Sequence, residues 1–240
     1  MAIALQYNPT TGQITNWYDP AYFTPPSGSS TLEVTAAQYA AAQAQPGYTV
    51  QNGVLTPPTE AALLSLAQTQ QITQLKSACD AEIQGGFPAT INGVSTLVTL
   101  KQGGTSHDQT NAIMVAMMAQ AAISQAKAWK PLTVTAPLST ITDNKGTYWV
   151  TFTGGTTGAS LPSLPTDFST FVTDGSVQWY KTGFRTGTSN GTVIVDPVTA
   201  VSLFGQGVVF VNDARARYEQ LKIEVLAATT PSAVQSINWI

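Results

Sequence analysis

The chain has 240 residues and a mass of 25.2 kDa, enough for one large domain or two smaller ones that each bury a core. Only 10% of it is charged, against about 25% in an ordinary soluble domain, yet 43% is hydrophobic, and 35 Thr, 19 Gln and 30 Ala stand where charge is missing. This balance excludes disorder, and a net charge of -3 with scattered Lys and Arg excludes a phosphate-tracking stripe, so nucleic acid is not expected as a partner. No apolar run is long enough for a membrane span, and a single Cys and a single His exclude an internal disulfide and a Cys/His zinc site built by this chain alone.

Residues 1–58 carry only Asp19 and Glu33 as charges and are divided by Asn8-Pro9, Asp19-Pro20, Pro25-Pro26, Pro46-Gly47, Asn52-Gly53 and Pro57-Pro58. Such punctuation predicts a small β-rich module of short strands and turns, with little core of its own. Tyr48 to Leu55 reads as a hairpin around Asn52-Gly53, and Thr35 caps one short helix reaching Ala44.

Thr59 to Gln84 holds Leu64, Ile72, Leu75, Cys79 and Ile83 on a helical period and stops at Gly85-Gly86. Its polar positions are mostly Gln, Thr and Ser instead of Glu and Lys. A neutral polar face suits packing against another chain, with Leu64, Ile72 and Leu75 as oligomer contacts, or packing on the helix's own domain; the pattern favours neither. Cys79 reads as buried filler.

Phe87 to Leu100 forms a hairpin around Asn92-Gly93. Ser106 and Gln109 have capping-box spacing and open a helix through Ile113, Val115, Met117, Met118 and Ala122, apolar nearly all round and expected to be the most buried one. From Leu132 the composition shifts to Thr and Gly, predicting a β insertion at 145–185 with a hairpin at Asp174-Gly175. Helix returns from Val198 to Ala228, with Val211, Ala214, Tyr218, Leu221 and Val225 at intervals of three and four, and Pro231 stops it. Its charged run, Asp213 to Glu224, should face water, and the final run from Val234 is apolar enough to dock back. The class is therefore α+β: a helical core domain over 59–240 with short hairpins and an inserted antiparallel β module, preceded by the small module at 1–58.

His107 beside Asp108 is the one imidazole–carboxylate neighbour pair, but adjacent residues at a helix start do not converge as a triad requires, and helix capping accounts for them. The glycine clusters lack the Lys-Ser/Thr of a phosphate loop. No enzyme, cofactor or metal site is expected. Tyr148, Trp149, Trp179 and Tyr180 are adjacent pairs on strands, so one member of each faces opposite its neighbour. They are candidates for receptor or glycan contact, or for the small core any β module needs.

The order of these features resembles a domain of unknown function found in tail-fibre and fibre-assembly proteins of tailed bacteriophages. The shared marks are the helix ending in Gly-Gly-Phe87, the Ile91-Asn-Gly hairpin, the run Asp108 to Ile113, Trp129 and the closing Ile237-Asn-Trp239. Tyr7 to Ile14 is similar to the start of such proteins, and Gly155-Thr-Thr-Gly158, Pro162, Pro165 and Thr173 to Trp179 resemble a small β module recurring in phage tail and adhesin proteins. The resemblance implies a structural protein of the tail fibre or baseplate, made in the host cytoplasm and carried in the virion. Homo-oligomers, trimers foremost, other tail or baseplate proteins and a host surface glycan would be its partners. The alternative it implies is a fibre-assembly chaperone not retained in the virion. The family carries no established active-site residues, so none transfers.

Overall fold

The computed structural model describes residues 3–100, 102–103, 106–142 and 147–240; the side chains of 102, 103 and 106–110 lie outside the description. It is an α+β chain that divides into two compact units, Met1–Lys76 with Glu219–Ile240 and Ser77–Tyr218. This division cuts through two long helices, where the sequence suggests a boundary at residues 58 and 59.

In the first unit, β1 (Ile3–Tyr7) pairs antiparallel with both β2 (Ile14–Tyr18) and β3 (Ser30–Val34). Helix α1 (Ala36–Ala44) follows, opened by a capping box in which Thr35 and Gln38 bond each other's backbone. Strands β4 (Thr49–Gln51) and β5 (Val54–Thr56) close through Asn52 and Gly53, whose φ of 52° and 73° suit a type I′ turn. The expectation of little core is corrected here. Leu5, Val34, Val50 and Leu55 are buried together, and Trp17 meets Tyr39 edge to face at 5.1 Å, because strand alternation and the α1 face converge on one side of β1.

Helix α2 (Glu60–Gly85) buries Ala67, Gln71, Leu75, Cys79 and Ile83, a stripe advancing four residues at each step. The neutral face has work within its own chain. In the first unit Gln68 Nε2 donates to the carbonyls of Val225, Leu226 and Ala228 at 3.2, 3.4 and 3.3 Å, and Gln71 Nε2 donates to that of Ile237. The amide of Gln68 thereby satisfies carbonyls that a helix C-terminus leaves open. Leu75 is 1% exposed, which corrects its expected role as an oligomer contact: no second chain can reach it. Leu64 and Ile72 are half-buried. Gly86 ends α2 at φ 86°, where an added Cβ would lie 2.1 Å from the Val98 carbonyl oxygen, so only glycine fits.

The second unit begins with β6 (Phe87–Ile91) and β7 (Val94–Val98), joined through Asn92-Gly93 as expected. Short strands β8 (Gln102–Gly103) and β9 (Ser106–His107) precede α3 (Asp108–Gln125). The Ser106–Gln109 capping box and the His107–Asp108 pair fall outside the described side chains. Seven strands of the β module follow: β10 (Lys127–Ala128), β11 (Val134–Thr135), β12 (Thr140–Thr142), β13 (Tyr148–Val150), β14 (Gly155–Thr156), β15 (Phe171–Asp174) and β16 (Val177–Lys181). The hairpin of β17 (Phe184–Thr188) and β18 (Gly191–Val195) then joins β7 and β6 in a four-stranded sheet ordered β18-β17-β7-β6. Its core comprises Phe87, Ile91, Val98, Val195 and, from the helices, Ala119 and Leu203.

Helix α3 is not the most buried element. Ala116 and Ala119 are buried, but Ile113, Met114, Met117 and Met118 are about half exposed or more, Met117 to 70%. An all-round apolar helix needs neighbours all round, and here the alanines make the close contact while the methionines project from the other side.

Helix α4 (Pro197–Ala227) starts at Asp196, whose carboxylate accepts from the Thr199 amide at 2.9 Å and the Thr199 hydroxyl at 2.6 Å. Burial raises the Asp196 pKa, but the Thr199 hydrogen bonds outweigh it and hold the carboxyl below its ordinary value. Cys79 donates its thiol to the Ala214 carbonyl at 3.6 Å, and Arg217 pairs with Glu82 at 3.2 Å. In the first unit the last turns of α4 lead to α5 (Pro231–Gln235), capped by Thr230, which buries Val234. Among the described residues no helix is long and apolar enough to cross a membrane.

Candidate functional site

The β module reaches further back than the shift to Thr and Gly suggests. Its five-stranded sheet, ordered β10-β12-β13-β16-β15, already includes Lys127 and Ala128, and β11 pairs with β14 beside it. The hairpin of β15 and β16 sets Asp174 opposite Val177, so the loop is Gly175-Ser176, one residue later than Asp174-Gly175. Gly175 has φ 63°, and a Cβ there would lie 2.3 Å from the Thr156 carbonyl oxygen, which is why the loop can lie on β14.

On one face of the sheet Ile141, Trp149, Val177 and Trp179 form the module's core, with Trp129, Leu164 and Val172 packed against them. Trp149 is 4% exposed and Trp179 fully buried. Both are therefore corrected from candidate contact residues to core: strand alternation turns both indoles to the covered face of the sheet, where they pack with Ile141 and Val177. Each buried indole finds an acceptor. Trp149 Nε1 donates to the Pro165 carbonyl at 3.2 Å, while Trp129 Nε1 and Trp179 Nε1 donate to the same oxygen of Asp174 at 2.8 and 2.9 Å. The other Asp174 oxygen accepts from the Gly158 amide at 2.6 Å. A buried carboxylate thus ties the chain entering the module, the Gly-Thr-Thr-Gly loop and the β16 strand to one point.

Strand alternation sends the neighbours of the tryptophans to the opposite face. There Tyr180 stands opposite Phe171 in register, and its ring lies 5.3 Å from those of both Phe171 and Phe152. Phe152 is 57% and Phe171 48% exposed, with Tyr180 and Tyr148 half-buried. The outcome is an open aromatic cluster of three rings, two of which sequence reasoning passed over. The signal for Phe171 was present, because a two-residue loop at Gly175-Ser176 counts Phe171 directly onto Tyr180. For Phe152 it was weaker, since that residue lies beyond the end of β13.

The cluster borders a groove of about 570 Å³ lined also by Met118, Phe168 and Lys181. Lys181 Nζ lies 4.6 Å from the Phe168 ring centre and donates to the Thr166 carbonyl at 2.8 Å, a cation held over an aromatic face. The turn carrying Phe168 is ordered by Asp167, which accepts from the amide and hydroxyl of both Ser169 and Thr170. Those bonds, the Ser169 hydroxyl foremost, lower the Asp167 pKa to about 2. Flat apolar rings edged by amide, hydroxyl and ammonium groups suit stacking on the apolar face of a sugar while bonding its hydroxyls. Among the described residues no group of three His, Cys, Asp or Glu side chains is placed to hold a metal ion.

No family model, curated protein or solved structure matches the chain.

Proposed function

We propose that the chain is a structural subunit of the tail fibre or baseplate of a tailed bacteriophage, self-associated in the virion with trimers favoured, and that its β module contributes to attachment on a host surface glycan. The phage-domain resemblance supplies the biological setting. The observation that carries the reading is apolar surface on helices whose opposite sides are already packed. In the first unit, α4 exposes Ile223 and Leu226, one turn apart; in the second, Val208 and Val209 on α4 and the methionines of α3 are bare. Exposed apolar surface repeated along helices marks association.

The mass of the purified chain in solution tests this. A trimeric mass is expected by light scattering, and the combined Ile223→Asp and Leu226→Asp substitutions should return a folded monomer, since both side chains are exposed. A monomeric mass for the unaltered chain would count against a fibre subunit and favour the assembly chaperone, which needs no permanent self-association.

Host contact has its own test. Tyr180→Ala and Phe171→Ala should each weaken binding to surface polysaccharide from a susceptible host about tenfold or more, as loss of a central aromatic contact does. Unchanged binding in both variants would remove the aromatic cluster from the attachment surface.

A further inference from the structure

The second unit holds another cavity, of about 500 Å³, which shares Arg185 with the aromatic groove but is otherwise walled mainly by aliphatic side chains and Phe87. Helix α4 presents Ala200, Leu203, Gly207 and Val211 to it, successive at three and four residues, so one stripe of the helix forms a wall. Phe87 and Val98 from the sheet and Ala112 and Val115 from α3 add further apolar surface. Small residues leave the room: Gly207 has no side chain where a Cβ would sit 3.1 Å from the Phe87 ring.

The polar part of the lining is one-sided. Two of the chain's three arginines, Arg185 on β17 and Arg215 on α4, line this cavity, and among the described residues no acidic one does, although the chain as a whole is acidic. The third arginine, Arg217, is paired with Glu82, whereas the side chains of Arg185 and Arg215 have no ion pair or hydrogen bond among the described residues. Asn111 and Asn212 line it as well, and their amides can donate to the same head group.

We infer that this cavity binds an amphipathic carboxylate of the fatty-acid type, its hydrocarbon body against Leu203, Val211 and Phe87 and its head group on Arg185 and Arg215. An apolar wall alone would accept any hydrophobe. Two uncompensated guanidiniums select an anion, and their planar forks match a carboxylate. The volume lies within the range of small-molecule sites. The inference stands independently of the phage reading.

Titration calorimetry on the full chain with dodecanoate, dodecanol and dodecyltrimethylammonium, each below its micelle threshold, tests it. Dodecanoate should saturate at one per chain, with the alcohol about tenfold weaker or more and the cation weaker still. Arg185→Gln and Arg215→Gln should each weaken dodecanoate about tenfold while leaving the alcohol nearly unchanged; both side chains are exposed, so the fold persists, as far-ultraviolet circular dichroism would verify. Absence of dodecanoate binding, equal affinity for acid and alcohol, or acid binding that survives both substitutions would each overturn the inference. So would protection of the cavity in hydrogen exchange that tracks self-association alone, because its occupant would then be a second copy of the chain.

Discussion

Asp174→Ala should cost the β module about 3–5 kcal/mol, enough to unfold it while the first unit keeps its structure. The carboxylate is 3% exposed and accepts from Trp129 Nε1, Trp179 Nε1 and the Gly158 amide. Truncation leaves three donors buried in an apolar core with nothing to bond, and each such donor costs about 1–3 kcal/mol. Asp174→Asn keeps the volume and one carbonyl oxygen, but its amide nitrogen cannot accept, so at least one donor is still orphaned and an intermediate loss is expected. Near-ultraviolet circular dichroism and tryptophan fluorescence follow the module directly, since Trp129, Trp149 and Trp179 all lie in or against its core. A loss below about 1 kcal/mol in the alanine variant would mean that water replaces the carboxylate and that the module is held by packing alone.

Leu75→Ala is the second large effect, an expected loss of about 2–5 kcal/mol with no change in the association state of the chain that remains folded. Leu75 is almost wholly enclosed in the first unit, on the same stripe of α2 as Ala67 and Gln71, and its truncation leaves a cavity that helix packing fills only in part. Denaturant unfolding followed by far-ultraviolet circular dichroism measures the loss, and light scattering measures association. The opposite result, full stability with dissociation, would return Leu75 to a subunit interface.

These two residues show where sequence reasoning reaches and where it stops. The helical period around Leu75 was legible, but a period states only that one face is buried, and the partner covering that face belongs to the tertiary structure. The Gln-rich composition of α2 was equally ambiguous. Gln68 bonds carbonyls at and just past the end of α4 from 157 to 160 residues away in sequence, a pairing no local pattern encodes. Trp149 and Trp179 were visible as one member each of opposed pairs, yet which member faces inward depends on the side of the sheet that the rest of the module covers. In the sequence Asp174 is only a turn residue, because its two indole donors meet it through the closed sheet. Helix α3 shows the converse: apolarity all round predicts burial, yet Met114, Met117 and Met118 leave one side of the helix bare.

The sequence by itself determined the α+β class, the hairpins at Asn52-Gly53 and Asn92-Gly93, the Thr35 cap, the stop at Gly86 and the burial of Cys79. Each of these rests on local terms: positive φ at Asn-Gly, a side-chain oxygen beside free amides, a residue without Cβ against a carbonyl, a side chain on a periodic apolar face. The tertiary structure alone decided which aromatics are core and which form the open cluster, how Asp174 is enclosed, and where Arg185 and Arg215 share a cavity. These are properties of long-range closure, in which groups far apart along the chain meet because two or more elements pack. The low overall charge belongs to both levels. Its amount was plain from composition, but only packing revealed that part of the Gln replacing it is spent on carbonyls of the chain itself.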